Sequence, residues 1–82
     1  DRAALLDLFN WSEAEFLDHT SGSAIRRIGY ECWLRNLAVA LGNALRQQGH
    51  DAAIVAALNE KSAHASALVR EHAQWALEQL PA

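Results

Sequence analysis

The sequence has no methionine, one cysteine and one proline, and each scarcity limits what the chain can be. The lone Cys32 excludes an internal disulfide and a cysteine-pair metal site, which is consistent with a reducing compartment. Pro81 lies beside the C-terminus, so no internal helix has to be broken by a proline. Because the chain begins at Asp1 and lacks methionine, we expect it to be a piece of a longer protein.

Long apolar runs are also missing. None approaches the roughly 20 residues of a membrane span, and the first residues do not have the pattern of a signal peptide. β-branched residues are few, whereas Ala and Leu dominate, which favours helices. We therefore predict a soluble, cytoplasmic, all-α protein with no membrane contact. At 82 residues the chain can bury one modest core and not two, so residues 1–82 are expected to form a single domain.

The charge is unevenly spread along the chain. A net charge of −3 would normally argue against a nucleic-acid partner, but residues 21–50 carry four arginines against Glu31 alone. The flanking segments both contain more acids than bases. The sequence therefore predicts a basic centre, formed by Arg26, Arg27, Arg35 and Arg46.

Hydrophobic periodicity and capping residues predict five helices, with a break before the third. Ser12 followed by Glu15 has the form of a capping box that begins the second helix. If the third helix continued backwards, Arg26 and Arg27 would point into its apolar sector. We therefore expect a kink, a turn or a separate helical turn near Gly29. The predicted helices cover about residues 1–9, 12–19, 30–46, 51–61 and 67–80.

The third predicted helix has one apolar and one polar side. Its apolar side chains fall in one sector about 160° wide, which we expect to form the centre of the core. Asn43 is interpreted as a capping residue, at a point where the helix could end. The apolar sector holds Tyr30, Trp33, Leu34, Leu37, Ala38, Ala40, Leu41, Ala44 and Leu45. The opposite side holds Glu31, Arg35, Asn36, Gly42, Asn43 and Arg46.

Two stretches of the chain share a pattern. Residues 34–41 and 69–77 each start with an aliphatic residue and an arginine and continue as an alanine-rich helix. Together with the helix between them they indicate HEAT-type repeats, in which paired helices stack on their neighbours. The prediction is a small HEAT-like helical-repeat domain of about five helices.

Four segments, read together and in order, resemble the C-terminal region of the epoxyqueuosine reductase family. They are GSAIRR at 22–27, LRN at 34–36, ALGN at 40–43 and LVREHAQWAL at 68–77. The resemblance covers most of the chain from Gly22 onward. Two features depart from the family pattern. Tyr30 stands where relatives often carry a base, and residues 46–51 are not the short Gly-Asp link typical of HEAT repeats.

The resemblance implies a parent enzyme that reduces epoxyqueuosine to queuosine in the anticodon loop of tRNA, with cobalamin and two 4Fe-4S clusters. Such clusters are held by sets of cysteine thiolates, and this chain has only Cys32. The resemblance therefore places the chemistry upstream, and we expect this chain to hold no cofactor and no catalytic residue. Its expected partners are the tRNA anticodon stem-loop and the upstream catalytic domain of the same protein.

Arg26, Arg27, Arg35 and Asn36 are the predicted RNA-binding residues. Guanidinium groups bind phosphate bidentately, and RNA helices are recognised mainly through backbone and shape. The alternative is a solvated surface with salt bridges to the acidic flanks, in which Arg35 pairs with Glu31 one turn earlier.

The other chemistry-bearing residues show no catalytic or metal-binding pattern. The four histidines lack the spacing of a metal site, and no nucleophile–base pair is visible. Tyr30, Trp33 and Trp75 could stack on bases, but helical phase places Tyr30 and Trp33 with the core. The rival function is a HEAT-like module that docks protein, or its own catalytic domain, without RNA contact. An exposed apolar groove that includes Trp11 or Trp75 would favour it.

Overall fold

The computed structural model describes residues 1–81, which form five α-helices and one short 3-10 helix and contain no strand. The predicted all-α class is therefore confirmed, and the HEAT-like arrangement stays a prediction. The elements are α1 (Arg2–Phe9), α2 (Glu13–His19), the 3-10 helix η1 (Ala24–Ile28), α3 (Tyr30–Gln48), α4 (Ala52–Lys61) and α5 (Ala67–Glu78).

The break before the third helix lies where the sequence predicts it. Gly29 has φ 84° and ψ 160°, a conformation open to glycine, and it separates η1 from α3. The interpretation of Asn43 as a capping residue is wrong, because α3 continues past it to Gln48 and ends at Gly49, where φ is 85°. Residues 47 and 48, which were predicted to belong to a loop at 47–50, form the last two residues of α3. Asn43 lies within it and accepts a hydrogen bond from Arg46 at 2.9 Å.

Helix α3 is the centre of the fold and packs against α5 and α1. Its predicted apolar sector supplies the largest share of the core and packs directly against α5, and α4 completes the core through its contacts with α5 and α1. Tyr30, Trp33 and Trp75 are partly buried and pack against this core. The core consists of Phe9, Leu34, Leu37, Ala38, Leu41, Leu45, Ile54, Ala57, Leu58, Val69, Ala73 and Ala76.

The position of Gly42 differs from the predicted division of α3 into an apolar and a polar side. The sequence places it on the polar side, but it is buried where α3 crosses α5. A Cβ at this position would lie 2.9 Å from both Ala76 Cα and Trp75 Cζ3. The missing side chain therefore lets the two helices approach closely, which widens the buried side of α3 beyond its predicted sector.

The beginning of α3 fixes the connection between α1 and α2. The Tyr30 hydroxyl donates a hydrogen bond to the Trp11 carbonyl at 2.5 Å, and Trp33 Nε1 donates to the Leu8 carbonyl at 3.4 Å. The Trp11 and Trp33 rings stack with their centroids 5.6 Å apart. The connection is thus held by hydrogen bonds and aromatic packing at once.

The predicted capping box at the start of α2 is confirmed. Ser12 Oγ accepts from the Glu15 amide at 3.1 Å, and Glu15 Oε1 accepts from the Ser12 amide at 2.9 Å. These hydrogen bonds favour the charged carboxylate and lower the pKa of Glu15.

A Tyr30→Phe variant tests the hydrogen bond to Trp11. We expect the free energy of unfolding at neutral pH to fall by about 1 kcal/mol, since one partly buried hydrogen bond is lost. Partial burial, with the nearby Glu13, Glu15 and Glu60 carboxylates, raises the pKa of Tyr30. The neutral phenol therefore contributes stability that is complete below the unfolded pKa of about 10 and is lost as pH rises through the folded pKa.

Urea denaturation at neutral and alkaline pH measures both effects of Tyr30→Phe. The parent protein should lose more stability than the variant as the pH passes above about 10. Equal alkaline losses in the two proteins would show that Tyr30 does not stabilise the fold through its neutral form.

Candidate nucleic-acid interface

The site begins with η1, which projects from the helices into solvent. Ser23 Oγ accepts a hydrogen bond from the Ile25 amide at 3.2 Å, and Gly29 ends the turn. Every residue from 21 to 28 is exposed. Arg26 and Arg27 are therefore held on a short ordered element and not within the buried face of α3.

A shallow, open concavity lies on this element. Its lining comprises Gly22, Ser23, Ala24, Arg26 and Arg27. The two arginines that the sequence predicts as RNA-binding thus border one surface depression together. Small residues form the remainder of its lining, so the concavity presents backbone and two guanidinium groups to a ligand.

Arg26 and Arg27 differ from the other basic side chains. Within residues 1–81 neither has a hydrogen-bond or ion-pair partner for its side chain, whereas each of the other five basic residues has one. The salt bridges to acidic flanks that the alternative interpretation requires are therefore absent for these two. The partners are Asp51 for Arg2, Asn36 for Arg35, Asn43 for Arg46, Glu60 for Lys61 and the His64 and Ala65 carbonyls for Arg70.

Arg35 and Asn36 form a second, separate pair. Arg35 Nε donates to Asn36 Oδ1 at 3.1 Å, Asn36 is exposed, and neither residue lines the concavity. The alternative pairing of Arg35 with Glu31 is wrong, because Glu31 Oε2 accepts instead from Ser66 Oγ at 2.9 Å. This bond ties the first turn of α3 to the N-cap of α5.

Two isoleucines beside the arginines are a feature that the sequence interpretation missed. Ile25 and Ile28 are 46% and 45% exposed, and both belong to η1. Their spacing of three, within a segment bounded by Ser23 and Gly29, is the signal that could have revealed them. In a 3-10 helix, residues three apart lie on the same side.

Among residues 1–81, no three His, Cys, Asp or Glu side chains are placed to hold a metal ion. Cys32 is half-buried and is the single thiol of the chain. A 4Fe-4S cluster is held by a set of cysteine thiolates, so the residues of this chain do not fit one. In the same part of the chain, no helix combines the length and apolar character that crossing a membrane requires.

Comparison with known proteins relates the chain to one enzyme family. It is 59% identical to an epoxyqueuosine reductase of Burkholderia pseudomallei over 94% of the chain, and 59% identical to one of Alicycliphilus denitrificans over 92%. An Escherichia coli epoxyqueuosine reductase is 51% identical over 92%.

These matches occupy 21%, 22% and 18% of the three relatives, so the chain spans about a fifth of their length. No family model matches the chain, and no solved structure matches it significantly. At this identity over nearly its whole length, the chain is homologous to a segment of epoxyqueuosine reductases that makes up about a fifth of those enzymes.

Proposed function

We propose that this chain binds tRNA for an epoxyqueuosine reductase, with Arg26 and Arg27 contacting phosphates of the anticodon stem-loop. The observation that carries the proposal is that these two exposed guanidinium groups have no partner within residues 1–81 and border one concavity. Guanidinium groups suit phosphate because their planar set of donors matches two phosphate oxygens at once.

The local charge around η1 supports an anionic partner. Residues 19–30 contain no Asp or Glu, although the whole chain has a net charge of −3. Glu31, the nearest acid on the α3 side, already accepts a hydrogen bond from Ser66. A polyanion is therefore attracted to this segment and repelled by the acidic flanks, which favours one binding position over the rest of the surface.

Arg35 and Asn36 are proposed as a second contact on the same RNA. Their mutual hydrogen bond uses Arg35 Nε and leaves the two terminal guanidinium nitrogens available. Arg35 lies five residues into α3, about 7.5 Å along its axis from Tyr30. Asn36 is exposed and can donate through its amide nitrogen to ribose or base edges.

The reduction of epoxyqueuosine to queuosine is assigned to the longer family members and not to the residues of this chain. Cobalamin and two 4Fe-4S clusters are the cofactors expected for that reaction, and a single cysteine cannot supply such a cluster. The chain then acts as a HEAT-like substrate-holding domain, next to a catalytic domain of the same enzyme. Because its substrate is tRNA, we place this function in the cytoplasm.

The rival interpretation is a docking module without RNA contact. It predicts an apolar groove that exposes Trp11 or Trp75, and both rings are half-buried. Trp11 stacks on Trp33 and on His19, whose centroid lies 4.4 Å away, and Trp75 packs against the core. The aromatic surface that would favour docking is thus already used within the chain.

Fluorescence anisotropy with a labelled anticodon stem-loop tests the proposal. If the chain makes two phosphate contacts, raising the salt concentration from about 50 to 200 mM should weaken its affinity for the stem-loop roughly tenfold. The reason is that each neutralised phosphate releases counterions on binding. A stem-loop that does not bind at low salt, or binds with no dependence on salt, would contradict the proposal.

A further inference from the structure

The two exposed isoleucines of η1 form one continuous apolar surface. The 3-10 helix has about three residues per turn, so Ile25 and Ile28 lie one above the other, and Arg26 and Arg27 point to the remaining sides. We call the two isoleucines the aliphatic ridge. Within residues 1–81 the only other large apolar side chain that is similarly exposed is Leu17, at 38%, on α2.

We propose that the aliphatic ridge packs against unpaired bases of the bound stem-loop, so that Ile25 and Ile28 add a preference for its loop over a continuous duplex. The inference rests on the proposed function, which assigns phosphate contacts to the two arginines, and adds an apolar contact to the faces of the bases. A duplex presents phosphates and ribose hydroxyls on its outer surface, and these groups would lose water against the isoleucines and gain no apolar contact. Unpaired bases can turn outward and offer apolar faces.

The neighbouring charges favour RNA as the occupant of the ridge. Arg26 and Arg27 stand beside the isoleucines, and no acid occurs between positions 19 and 30, so the occupant must carry negative charge close to an apolar surface. Nucleotides combine a phosphate and a base in this way. An anionic membrane has the same combination, but η1 has five residues, whereas many interfacial amphipathic helices have about 20 to 30.

Comparing the affinities for two RNAs of equal charge separates the contribution of the aliphatic ridge from that of the arginines. One RNA is a hairpin with an unpaired loop, and the other is a continuous duplex with the same number of phosphates. The parent protein should bind the hairpin about tenfold more tightly, because only the hairpin buries the isoleucine side chains. An Ile25→Ser/Ile28→Ser variant should lose about tenfold in hairpin affinity, keep its duplex affinity and keep its salt dependence.

Two further variants make these outcomes specific. Leu17→Ser removes an exposed aliphatic side chain elsewhere and should leave both affinities unchanged. Arg26→Ala/Arg27→Ala should weaken hairpin and duplex alike, because phosphate contacts do not depend on pairing. Circular dichroism should show the same helix content in every variant, since the replaced side chains are exposed.

Three results would overturn the inference. If the isoleucine variant keeps its hairpin affinity while the arginine variant loses affinity, the ridge does not contact bases and the proposed function stands. If the parent protein binds neither RNA, both proposals are wrong. If the isoleucine variant instead loses binding to vesicles of anionic phospholipid and not to RNA, the ridge belongs to a membrane contact.

Discussion

A Gly42→Ala variant is expected to lose about 1–3 kcal/mol of unfolding free energy, the usual cost of forcing extra atoms into a packed interface. At an exposed position inside a helix, the same change should stabilise by about 1 kcal/mol, because alanine has the higher helix propensity. In α3, however, the new Cβ would lie 2.9 Å from Ala76 Cα. Since that atom is backbone, α5 as a whole must move away from α3, and the contact between them is the most extensive in the fold.

Urea denaturation followed by circular dichroism measures the effect of Gly42→Ala. Gln47→Ala is the control, because Gln47 is an exposed residue of the same helix and its replacement should change stability by less than about 0.5 kcal/mol. A Gly42→Ala protein that is more stable than the parent would mean that α5 does not approach α3 as closely as described.

An Arg26→Ala/Arg27→Ala variant is expected to bind the anticodon stem-loop about 100-fold more weakly. Each arginine is assigned one phosphate contact, and a hydrogen bond to a charged group contributes at least about 1.4 kcal/mol, or a factor of ten. Stability should not change, because both side chains are exposed and have no partner within residues 1–81.

Arg46→Ala is the matched control for the arginine pair. Arg46 is also exposed and carries the same charge, but it lies in the last turn of α3 and is hydrogen-bonded to Asn43. It should reduce affinity by no more than a few-fold, through long-range electrostatics alone. If Arg46→Ala weakens binding as much as Arg26→Ala does by itself, affinity follows total charge and η1 is not the binding site.

Local signals in the sequence were sufficient for much of the fold. The capping box of Ser12 and Glu15 and the break at Gly29 each depend on residues within one turn, and the structure has both. The apolar sector of α3 was also predicted, because helical period alone decides which side chains share a face.

Features that depend on other segments could not be predicted in this way. Gly42 has no side chain to indicate its environment, and its burial follows from the path of α5. A pairing of Glu31 with Arg35 in its own helix was the alternative interpretation, but Ser66, which is 35 residues away in sequence, donates to Glu31 instead. The exposure of Ile25 depends on η1 being separate from α3, so its spacing of three from Ile28 indicates a shared exposed side only once that separate 3-10 turn is recognised.

The salt dependence of stem-loop binding, compared between the parent protein and Arg26→Ala/Arg27→Ala, tests most directly whether these arginines contact phosphates. Each phosphate contact contributes about 0.7 to 0.9 to the slope of log affinity against log salt concentration. Losing two contacts should therefore reduce the slope by about 1.4 to 1.8. Equal slopes for the two proteins would show that Arg26 and Arg27 do not neutralise phosphates and would contradict the assigned site.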